Sequence, residues 1–134
     1  MKINKAQKFT IILTLMFILL CEIAVLGINY YYRDYTAYYN NARYINIMLN
    51  NYGKDGLMKA LRDKALAGRF KIEEQLREME KLNSDELKNI YSKDETDLYN
   101  KYIKPKNDKI IILHLLALTF LVLGGAIFFI LREL

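Results

Sequence analysis

"FTIILTLMFILLCEIAVLGI", Phe9 to Ile28, carries one charge, Glu22, in an otherwise unbroken apolar run. About 20 residues of helix cross the roughly 30 Å of hydrocarbon in a bilayer. A second run of that length, Ile110 to Leu131, has His114 as its only titratable side chain. The chain is 53% hydrophobic, yet its mean hydropathy is close to zero. The apolar residues are therefore segregated into blocks, and the blocks predict two transmembrane helices. About 80 residues lie between them, enough for a small helical unit but marginal for an independent globule.

Lys2, Lys5 and Lys8 precede the first block like the basic region of a signal peptide. The apolar run exceeds the roughly 7–15 residues of such a peptide and contains an acid, so an uncleaved anchor is expected. The net charge of +5 is dispersed over both signs, which argues against a nucleic-acid partner. Cys21, the sole cysteine, excludes an internal disulfide and reads as a small buried hydrophobe.

The connecting segment reads as helix almost throughout. From Ile28 the apolar positions run Tyr31, Tyr35, Tyr38, Ala42, Ile45, Leu49, Tyr52, an alternating 3,4 spacing like a coiled-coil seam. "GKDG", Gly53 to Gly56, is a turn signal. Beyond it Met58, Leu61, Ala65, Gly68, Ile72, Gln75, Met79 and Leu82 repeat the spacing. Two long helices, 29–51 and 57–82, thus make a coiled-coil-like αα-hairpin, the first running unbroken out of the bilayer. Asn83 with Glu86, and Ser92 with Glu95, stand at capping-box spacing and predict two short helices, 84–91 and 93–104. Pro105 should end the second, with "KPKND" a hinge and Asp108 the cap of the last span.

The expected fold is an all-α membrane protein: a basic tail (1–8), a span (9–28), a helical hairpin domain (29–109), a span (110–131) and a short tail (132–134). In antiparallel spans Glu22 and His114 lie at depths differing by only ~3 Å at 1.5 Å per residue. An intramembrane polar contact between them would offset most of the cost of burying each. The hairpin seam is expected to bury Tyr31, Tyr35, Tyr38, Ile45, Leu49, Leu61, Ile72 and Met79. Tyr30 to Tyr32 read as an interfacial aromatic belt, and Lys101, Lys104, Lys106 and Lys109 as a basic cluster at the membrane surface. The lysines before the first span favour cytoplasmic termini with the hairpin outside, whereas the four lysines before the second span and Arg33 favour a cytoplasmic hairpin. The first span usually dominates, so both termini are expected in the cytoplasm, at the cell (plasma) membrane.

No metal-ligand spacing, phosphate loop or nucleophile–base motif is present. Neither catalysis nor a cofactor is expected. The layout of span, helical extension, helical return and span resembles the sensory half of bacterial chemoreceptors, which implies a ligand-responsive hairpin. The leading expectation is a scaffold or accessory subunit whose partners are the lipid bilayer and either a second copy or another membrane protein. A sensor and a small holin-like pore lined by Glu22, His114 and Thr119 are the alternatives.

Overall fold

A computed structural model describes residues 2–66 and 73–133, and every element among them is helical. The order is α1 (Lys5–Tyr31), α2 (Arg33–Leu66), α3 (Glu73–Glu80), α4 (Ser84–Leu98), a π-helical turn (Tyr99–Ile103) and α5 (Lys104–Glu133). The chain divides into two compact units. One joins Met1–Arg33 to Lys104–Leu134; the other is Asp34–Ile103.

The first unit is an antiparallel pair, α1 against α5. Asn4 starts α1 through a capping box: its Oδ1 accepts from the Gln7 N–H at 2.8 Å, and Gln7 Oε1 accepts from the Asn4 N–H at 3.1 Å. The same two side chains reach across the pair. Asn4 Nδ2 donates to the Leu131 carbonyl and Gln7 Nε2 to that of Phe128, at 3.3 and 3.2 Å. One end of α1 therefore satisfies carbonyls at the end of α5. Further along, Thr14 lies against Gly124, where an added Cβ would fall 2.8 Å from Thr14 Cγ2. Phe17 then stacks on Phe120 with ring centroids 4.8 Å apart. Cys21 and Val25 complete the buried stripe of α1. Small residues let the two backbones approach closely. Both helices are long and apolar enough to cross a membrane, and most of their surface is exposed.

In the second unit Gly53 breaks α2 with φ 71° and ψ −173°, backbone that is essentially restricted to glycine. The arms 33–52 and 54–66 fold back on each other there. Ile45 and Leu49 from the first arm bury against Leu57, Met58 and Leu61 from the second. Met79 of α3 and Leu87 of α4 close the cluster, so four segments build this core. Arg62 and Lys54 tie the second arm to α3, the first through Glu80 Oε1 at 2.5 Å and the second through the Glu80 carbonyl at 2.9 Å.

Several expectations are corrected. The first helix does not run unbroken to Asn51; α1 ends at Tyr31, and Tyr32 at φ −90°, ψ 7° closes it with its N–H on the Ile28 carbonyl. A single helix, α4, replaces the two short ones, because Ser92 lies mid-helix with its carbonyl accepting from Thr96 Oγ1. Asn83 does cap it, its Oδ1 accepting from the Glu86 N–H at 2.8 Å. Asp108 is no cap, since "KPKND" lies inside α5 and Pro105 sits in its first turn, where a missing N–H costs little. The π-helical turn just before it widens the ladder where the proline ring would meet the carbonyl four residues back. α3 ends at Glu80, short of Leu82.

Candidate functional site

Glu22 and His114 project from neighbouring turns of the α1–α5 pair. Glu22 Oε1 lies 3.6 Å from His114 Nδ1, within ion-pair range but longer than a hydrogen bond. Neither residue sits in the buried stripe between the helices. Cys21 and Val25 take those places on α1, and Gly124 is buried on α5. The polar pair flanks the contact and leaves 52% of the Glu22 side chain and 53% of the His114 side chain uncovered. Two threonines of these helices are used locally. Thr10 Oγ1 donates to the Ala6 carbonyl and Thr119 Oγ1 to that of Leu115.

The expected seam divides into residues that the fold buries and residues that it does not. Ile45, Leu49, Leu61 and Met79 are buried in the core of the second unit. Tyr35 is half-buried and stacks on Tyr102 with centroids 3.9 Å apart. Tyr31 and Tyr38, by contrast, are 69% and 62% exposed. Their places inside are taken by the next residue in each case. Tyr32 is buried in the first unit, and in the second Tyr39 faces Tyr99 at 6.0 Å. Ile72 lies outside the described residues.

A polar cross-link that the sequence did not signal fixes the first arm of α2 on α4. Buried Asn46 donates through Nδ2 to the Tyr91 carbonyl at 2.8 Å and to Glu95 Oε2 at 2.6 Å. Gln75 Nε2 of α3 donates to the Tyr91 hydroxyl at 3.1 Å. Glu95, predicted to act at a helix start, instead anchors this network. Asn46 stands one position off the apolar stripe, beside Ile45, where a polar residue gives no signal of burial.

The four lysines divide as well. Lys101 belongs to the second unit and lies 5.4 Å from the centre of the Tyr102 ring. Lys104, Lys106 and Lys109 occupy the first two turns of α5. Lys109 Nζ donates to the Tyr32 hydroxyl at 3.0 Å. That hydrogen bond, and secondarily the charge of Tyr32 when ionised, holds the Lys109 ammonium above the usual lysine range.

Among the described residues no group of three or more His, Cys, Asp and Glu side chains is arranged to hold a metal ion. Compared with protein families, curated proteins and solved structures, the chain matches none.

Proposed function

We propose that the chain is a non-enzymatic, two-span integral membrane protein that serves as a scaffold or accessory subunit, with α1 and α5 in the bilayer. One observation carries this reading. In the most apolar stretches of the two candidate spans only 11% and 6% of the residues are buried. The core helix of a soluble protein would be mostly covered. Exposed apolar surface costs roughly 25 cal/mol per Å² in water, and a patch of this extent marks a lipid or protein contact. Hydrocarbon removes that cost along both helices together. Asp34–Ile103 has a closed apolar core and a charged exterior, as befits a part held in water. Its ordinary surface suits docking rather than chemistry.

Fractionation tests the anchoring, and reconstitution tests the role. The chain should stay with membranes through alkaline carbonate, migrate in complexes larger than its 15.8 kDa, and leave vesicles electrically silent. Release into the supernatant would sink the membrane reading. Conductance abolished by Glu22→Gln would replace the scaffold with a pore.

A further inference from the structure

One face of the α1–α5 pair combines an apolar groove with the polar pair. Ile11 and Leu15 of α1 and Leu121 and Gly125 of α5 line a groove of about 310 Å³. Glu22 follows Leu15 by two helical turns, and His114 precedes Leu121 by two. All six residues therefore lie on one side of the pair. Gly125, unlike Gly124, meets nothing within 4 Å, so its missing side chain serves no contact among the described residues.

We propose that this face is a self-association interface that closes on a second copy of the chain about a two-fold axis running along the helices. The proposal rests on the membrane reading above. In hydrocarbon, the uncovered halves of Glu22 and His114 need a polar neighbour. Thr10 and Thr119 are satisfied by their own helices. Copies inserted with the same topology are related by rotation about the bilayer normal, so each residue meets residues of its own depth. The Glu22–His114 pair then meets itself. Turned by half a revolution, the carboxylate of each copy faces the imidazole of the other, which is charge complementarity without a new residue type. Gly125 lets the backbones come close, as small residues do at helix contacts in lipid. Such an interface is isologous, with the same patch on both sides.

The test is oxidative cross-linking of the full chain in phosphatidylcholine vesicles, in a Cys21→Ser background. Leu121→Cys lies on the proposed face; Leu123→Cys points elsewhere on α5 and is equally exposed, 55% against 53%. Disulfides form only between close α-carbons. Because each α5 faces the partner's α1, Leu121→Cys chains mixed with Leu15→Cys chains should give disulfide dimers at least tenfold more efficiently than Leu123→Cys chains mixed with them. Gly125→Val, or Glu22→Leu with His114→Leu, should cut that yield at least fivefold. Equal cross-linking at the two positions, or a single-copy chain by photobleaching in vesicles, would overturn the interface and leave the membrane reading standing. Failure to float with vesicles would remove both.

Discussion

Gly53 is where one residue decides the second unit. At φ 71° and ψ −173° a side chain is strained, so Gly53→Ala should destabilise the fold by about 1–3 kcal/mol. Denaturant unfolding in detergent, followed by circular dichroism, measures this; Gly27→Ala, with open space around its Cα, serves as the control. Lys109 gives a second prediction at this scale. Its pKa is raised in the folded state by the Tyr32 hydroxyl. The associated stability is therefore complete at and below neutral pH and is lost only as pH rises through that raised value. NMR titration of the lysine side chains should show Lys109 above its neighbours. Tyr32→Phe should return it to their range, and an unchanged titration would contradict the contact.

At the scale of elements, the 3,4 spacing was legible as a period but not as a phase. Tyr31 and Tyr32 are both tyrosine, as are Tyr38 and Tyr39. A stripe may start with a three or a four at such a doublet with no change in residue type. Packing against the π-helical turn settles the choice in favour of Tyr39, whose ring faces Tyr99. Accordingly, Leu49→Ala should cost about 2–5 kcal/mol, because Leu49 is 1% exposed. Tyr38→Ala should stay within about 0.5 kcal/mol, as surface changes do. Equal losses would restore the expected phase. The helix boundaries near Pro105 were hidden for a different reason. A proline is a breaker only where its missing N–H and its ring conflict with the ladder, and a π-helical turn removes that conflict without ending the helix. Gly124 was visible as a small residue, but its partner was not. Contact with Thr14 implies that Gly124→Leu separates α1 from α5, seen as a lowered thermal transition.

For the molecule as a whole, the two apolar blocks carried the readable information, because length and composition alone define a candidate span. The polar pair was legible for the same reason: depth follows from residue count in antiparallel helices, and Glu22 and His114 stand 3.6 Å apart. Which flank of the helix pair they occupy was not legible, since it depends on the crossing at Thr14 and Gly124. Nor does the sequence contain the Asn46 network, which joins residues far apart in the chain. If α1 and α5 span the bilayer as proposed, the two ends of the chain share a side of the membrane and the hairpin unit takes the other. Single cysteines at Lys2, Asn83 and Arg132, each in the Cys21→Ser background, report this through a membrane-impermeant maleimide applied to intact cells. Lys2→Cys and Arg132→Cys should behave alike and Asn83→Cys oppositely. Three sites labelling alike, or the two ends differing, would contradict it.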